Sequence, residues 1–137
     1  MATFELTDQI RRHLDNDTIM ILATITPSGR PAPRPVWFLW DGAVLTVFSQ
    51  PQAAKVRHIA GNPRVSLSTG VSAAGGDFVS ISGTAEVLAD GPSAIEIPAY
   101  REQYGESATH MGTTIEQLSA DYSTHVRITP TRAWTIP

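Results

Sequence analysis

The sequence predicts a mainly β (α+β) fold in which six short strands close into a barrel, with short helices at the connections. Three observations carry this expectation. Six stretches are rich in β-branched and aromatic residues, beginning with "TIMILATIT" at residues 18–26. Asp41-Gly42 separates two apolar runs by two residues, a strong short-range signal for a hairpin. The strands follow one another at short, even spacing, which favours a closed barrel over an open parallel sheet.

Taken in order, residues 4–14 read as a short helix. Phe4, Leu6, Ile10 and Leu14 give it an apolar stripe, with Thr7 or Asp8 available as its cap. The first strand, 18–26, ends in the turn residues Pro27-Ser28-Gly29. The second spans 32–40. Val36, Phe38 and Trp40 fall on one of its faces and Trp37 and Leu39 on the other, so both faces need apolar cover. Asp41-Gly42 suits a type I′ turn into the third strand, 43–48. Ser49 followed by Gln52 has the capping-box spacing for a helix that stops at Gly61-Asn62-Pro63. By helical angle, Ala53, Val56, Ile59 and Ala60 form its buried face and His58 points to solvent. The fourth strand is 64–69, and "VSAAGG" at 71–76 is a loop. The fifth strand, 79–87, alternates apolar and polar residues, and Gly83 within it marks a bulge or a close backbone approach. Helices are expected at 94–104 and 114–122, with a last strand at 125–129 followed by Trp134.

The 137 residues suit one domain, 1–137, with one core, and 42% apolar residues are enough to build it. There is no cysteine, hence no disulfide framework and no thiolate metal site. No segment reads as a secretory signal or a membrane span, which makes a cytoplasmic location the default expectation. The net charge of −3 is unevenly distributed. Residues 30–64 hold five basic residues and one acid, a local balance of +4, whereas the remainder carries −7. A basic zone on an acidic body points to a discrete anionic ligand, because nucleic-acid binders are more often basic throughout.

That zone surrounds a helix start, and a helix N-terminus offers free N–H groups to phosphate. Ser49, Lys55 and Arg57 add a hydroxyl and two charges. Lys55 and Arg57 flank the buried helix face on opposite sides, so spacing leaves two readings open. They are snorkelling surface cations, or phosphate partners that converge at the helix start. No Ser-His-Asp, HExxH or paired-carboxylate pattern is present. None of His13, His58, His110 and His125 earns a catalytic assignment from the sequence, and His13 reads as a surface residue.

"RPVWF", Asp-Gly, "LTVFSQPQAAKVRHIAGNPRVSLS" and "ISGTAEV" together resemble the pyridoxamine 5′-phosphate oxidase-like split β-barrel family, most closely its branch of reductases using coenzyme F420. The resemblance runs from Phe4 to Trp134. It implies an antiparallel split barrel of the FMN-binding type. In the oxidase branch an Arg-x-Val-Leu-Leu-Lys strand precedes a Thr with a Lys six residues on. Arg34, Val36, Ser49 and Lys55 match, but Leu39 stands at the strand lysine and Trp37-Phe38 at the leucine pair. These departures count against classical FMN binding and for the deazaflavin branch. The resemblance thus implies cofactor contacts from Arg34, Pro35, Val36, Trp37, Phe38, Ser49, Lys55 and Arg57. It also implies a homodimer with the cofactor site at the subunit interface, Trp134 reaching the partner's site, and hydride transfer to an unsaturated small molecule, with water as one source of the proton. The alternatives are an FMN-dependent oxidase or reductase of the same fold and a non-catalytic F420 carrier. Loops at 71–76 and 98–114 are expected to shape the substrate pocket.

Overall fold

The computed structural model describes residues 4–137. Its strands are β1 (Ile19–Ile25), β2 (Pro31–Trp37), β3 (Leu39–Trp40), β4 (Leu45–Ser49), β5 (Arg64–Gly70), β6 (Phe78–Leu88) and β7 (Thr124–Ile136). The helices are α1 (Asp8–Asn16), α2 (Ala54–Gly61), α3 (Pro98–His110) and α4 (Ile115–Asp121), with a 3₁₀ turn at Ala94–Glu96. All strand pairs are antiparallel, in the order β2-β1-β5-β6-β7-β4-β3. β2 and β3 lie on opposite edges yet are separated in sequence only by Phe38. The sheet therefore curls until its edges meet there, giving the antiparallel split barrel. The expected second strand is one segment broken in two, which turns six strands into seven.

The break is held by a side chain. The Tyr104 hydroxyl accepts the Phe38 N–H (2.9 Å) and lies within donating distance of the carbonyls of Phe38 (2.5 Å) and Thr18 (2.8 Å). Backbone groups that leave the ladder are thus satisfied in the interior, as buried amides must be. The alternation read from the sequence places the core on both sides of this segment. Val36 and Phe38 join Met20, Leu22, Leu45 and Ile81 inside the barrel, with Trp40 packed against them. Trp37 and Leu39 pack against the second cluster, formed by Phe48, Tyr100, Tyr104 and Ile115 beneath α3 and α4. Each fully buried aliphatic side chain contributes roughly 1.5–3 kcal/mol by leaving water.

Three local expectations differ from the structure. Gly42 has positive φ (98°) but Asp41 does not, which excludes a type I′ turn. Instead Asp41 Oδ1 accepts the N–H groups of Ala43 and Val44, both at 2.8 Å. Ser49 does not cap a helix. It is the last residue of β4, paired with Thr124, while α2 begins five residues later with Ala53 at its N-cap and no side-chain cap. β7 runs on to Ile136, through Pro130. Its register against β6 shifts between Ser82 and Gly83, where a Cβ on Gly83 would sit 2.7 Å from the Thr129 carbonyl oxygen.

His13, read as a surface residue, is buried. Its Nδ1 lies 2.7 Å from Asp17 and its Nε2 3.0 Å from Asp77, on the loop after β5. With a carboxylate at each ring nitrogen, both nitrogens can donate only in the imidazolium form. Arg12 and Gln9 also reach Asp77, and Thr69 bonds Asp17. Burial alone would lower the His13 pKa, but the bonds to Asp77 and Asp17 outweigh it and the value is raised above 6.5. The Arg12 and His13 bonds hold Asp77 well below its ordinary 3.8. The raised His13 value means stability that is complete below pH 6.5 and lost as pH rises through the folded value. The lowered Asp77 value means stability that is present above 3.8 and lost as pH falls below it. Melting temperature should therefore be highest between these limits and fall on the alkaline side, and His13→Gln should flatten that alkaline fall in scans from pH 5.5 to 8.5.

Candidate functional site

Two cavities open side by side along β2. The first, about 190 Å³, lies between Pro35, Val36 and Trp37 of β2, Phe48 of β4 and the cap made by α3 and α4. Tyr100, Met111, Ile115 and Leu118 complete its mainly apolar wall. The Trp37 ring is fixed by stacking on Tyr104, with centroids 4.6 Å apart and planes at 7°. The second cavity, about 260 Å³, is a groove between the outer part of β2 and the start of α2, lined by Thr24, Ala32, Arg34, Ala53, Ala54 and His58 among others. Pro35 and Lys55 line both.

The groove is built to be positive. Among the described residues, neither Lys55 nor Arg34 has a carboxylate partner. Burial, and then the charge of Arg34, lower the Lys55 pKa. An unpaired, partly buried ammonium facing a guanidinium is unfavourable until an anion arrives. The α2 N-terminus adds to this, because Ala53 cannot cap it; the Val56 N–H is taken by the Ala53 carbonyl at 3.1 Å, but those of Ala54 and Lys55 have no partner among the described residues. His58 is held in the groove wall by a 2.8 Å bond between its Nδ1 and the buried Thr24 hydroxyl, so it does not point to solvent.

Of the residues singled out from the sequence, the structure brings Arg34, Pro35, Val36, Trp37 and Lys55 together around the two cavities. The other three line neither. Phe38 is inside the barrel core, Ser49 is fully buried with its hydroxyl donating to the Gln50 carbonyl, and the exposed Arg57 donates to the Gln52 carbonyl at 2.8 Å. Trp134 is exposed, edge-on to Phe78 at 6.0 Å, and lines neither cavity of its own chain. The loop at 71–76 is at neither cavity, being tied to the C-terminal Pro137 through Asp77 and to itself through Ser72. The cap residues of α3 and α4 were not legible as site residues individually. The one available signal was the spacing of Tyr100 and Tyr104, which puts two aromatics on one helix face. No group of three or more metal-ligating side chains occurs among the described residues, and no helix there is long and apolar enough to cross a membrane.

The split barrel thus sets an aromatic slot beside a cationic groove along one strand. The chain belongs to the pyridoxamine 5′-phosphate oxidase family, whose model matches residues 6–136. Its fold is shared with solved structures of low identity. An F420 reductase superposes with TM-score 0.69 at 23% identity, over 90% of this chain and 94% of the other. A FAD-binding protein from Mesorhizobium loti gives 0.62 at 22%, over 96% and 92%. The haem storage protein HutZ from Vibrio cholerae gives 0.66 at 17%, over 97% and 96%. None of the curated proteins compared with the chain matches it.

Proposed function

We propose that the protein is an oxidoreductase that binds reduced coenzyme F420 and passes a hydride to an unsaturated small molecule. The observation that carries this reading is the Lys55–Arg34 pair, without a carboxylate partner among the described residues and with Arg34 donating only to the Pro33 carbonyl at 2.7 Å, at the uncapped start of α2 and opening into an aromatic slot. Among the described residues neither cavity wall holds a carboxylate, so a cationic ligand has no counter-charge there. Lys55, Arg34 and the first N–H groups of α2 hold the phosphate. Pro35, Val36 and Trp37 support the ring at the mouth of the slot, where it meets the groove, and the space under the α3–α4 cap is left for the molecule that takes the hydride. The cofactor supplies the hydride chemistry, and the residues of this chain bind, orient and exclude solvent.

The test is parallel titration with F420 and FMN, followed by fluorescence. Tighter binding of F420 supports the reading. Tighter binding of FMN, with flavin absorbance in the protein as purified, moves the assignment to an FMN-dependent oxidase or reductase of the same fold. Tight F420 binding without turnover of any acceptor would identify a carrier.

The site is proposed to lie at a homodimer interface. Both faces of the β2–β3 segment are covered within the chain, so its apolar character does not itself call for a partner. What supports the partner is the outer face of β1, where Ile19 and Ile21 are 51% and 41% exposed beside Trp37 and Pro35. Light scattering at micromolar concentration should give twice the chain mass, and Ile21→Lys should reduce it towards a single chain.

A further inference from the structure

Two tyrosines one turn apart on α3 are treated differently by the fold. Tyr104 is fully engaged with the backbone of Phe38 and Thr18. Tyr100 is almost as deeply buried, at 5% exposure, with its ring edge-on to Phe48 at 5.0 Å and 4.7 Å from the ring of Tyr104. Yet its hydroxyl has no hydrogen-bond partner among the described residues. Nor is it sealed in protein, because no buried side-chain oxygen lacking a partner occurs there, and Tyr100 lines the 190 Å³ pocket. A hydroxyl open to a cavity and without a protein partner is satisfied by water or by a ligand there. The missing partner can come only from what fills the pocket.

The remaining lining narrows what that is. Pro35, Val36, Trp37, Phe48, Met111 and Ile115 are apolar, and no Asp or Glu is present. The Ser119 hydroxyl accepts the Ile95 N–H at 3.3 Å and keeps its own proton, and Tyr122 brings a second, more exposed phenol to the lining, so Tyr100 is the deeply buried donor among three hydroxyls. Lys55 stands at the edge shared with the cationic groove. The pocket is smaller than the roughly 300–1,000 Å³ of sites for drug-sized ligands, which limits it to one or two fused rings.

We propose that this pocket is a substrate subsite for a small, uncharged, flat molecule carrying a carbonyl oxygen, and that the Tyr100 hydroxyl selects it by donating a hydrogen bond to that oxygen. Burial, and then the neighbouring Tyr104, hold the Tyr100 pKa above the ordinary tyrosine value, so the group keeps its proton to donate. Pro35 and Lys55 border both cavities, so a molecule in the pocket meets a cofactor whose phosphate occupies the groove. The role of this molecule as hydride acceptor rests on the function proposed above, whereas its binding does not.

The experiment uses cofactor-free protein and two probes of one shape, 1-indanone with a carbonyl and indane without, followed through the Trp37 indole signal by NMR. 1-Indanone should bind wild type, and Tyr100→Phe should weaken it about three- to tenfold while leaving indane unchanged. The same variant should keep the wild-type melting temperature, since no internal hydrogen bond is lost, and keep F420 affinity within about twofold. Equal weakening of both probes, no weakening of 1-indanone, or no binding of it to wild type overturns the proposal. If F420 fails to bind while 1-indanone binding still depends on Tyr100, the cofactor reading falls and the subsite stands. If F420 binds and 1-indanone does not depend on Tyr100, only the subsite falls.

Discussion

Lys55→Ala should weaken F420 binding about 10- to 100-fold, the equivalent of the roughly 1.5–3 kcal/mol that a hydrogen bond to a charged group contributes. The magnitude follows from the setting of Lys55. It is partly buried, its charge is opposed by Arg34, and no carboxylate compensates it. A phosphate entering the groove meets an ammonium that is already partly desolvated, so little of the attraction is lost to dehydration. Removing the lysine also relieves the repulsion with Arg34, so the free variant should be as stable as wild type or more so. Arg57→Ala is the contrast. That side chain donates to the Gln52 carbonyl and lines neither cavity, so its loss should change affinity by less than about threefold, as for a solvated surface charge. Fluorescence titration of the three proteins at one salt concentration separates these outcomes. Equal effects of the two substitutions would remove the groove from the account.

Tyr104→Phe should lower the stability of the protein by about 2–3 kcal/mol, because one hydroxyl serves several backbone groups at the only break in the strand segment that closes the barrel. The phenyl ring remains, so its stacking on Trp37 and its packing under α3 are kept and the loss isolates the hydroxyl. The Phe38 N–H would be left buried without an acceptor, which is the costly half of the change. For a chain of this length the melting temperature should fall by roughly 6–12 °C. Tyr100→Phe, one turn away, should leave it unmoved. A fall of similar size in both variants would mean that the two hydroxyls do not differ as the structure shows.

The barrel was legible in the sequence because its strands announce themselves locally. Alternation along residues 32–40 assigned Val36 and Phe38 to one face and Trp37 and Leu39 to the other, and the two clusters occupy those faces. Gly83 marked the point where β6 and β7 change register. What was missed depends on contacts distant in sequence. The capping-box spacing at Ser49 is a local preference, and it lost to the β4–β7 ladder that pairs Ser49 with Thr124. A later helix start, at Ala54, and its packing on β1 then carried His58 into the groove against Thr24. His13 is buried because Asp77 reaches it from 64 positions away. Strand β7 continues past Pro130 because pairing with β6 overrides the local signal of the proline. At the site, the cationic half was visible as a charge cluster between residues 30 and 64. The aromatic half was visible only as Trp37 and as the segment 98–114 expected to shape the pocket, which is the helix α3 rather than a loop over most of its length; its other walls were hidden because α3 and α4 meet β2 only in the folded chain.

The most direct measurement is a crystal structure of the protein grown with F420. The account requires the phosphate between Lys55, Arg34 and the first N–H groups of α2, with the ring along Pro35–Trp37. A cofactor bound elsewhere, or a groove still empty at saturating F420 with Lys55 and Arg34 unmoved, would contradict it.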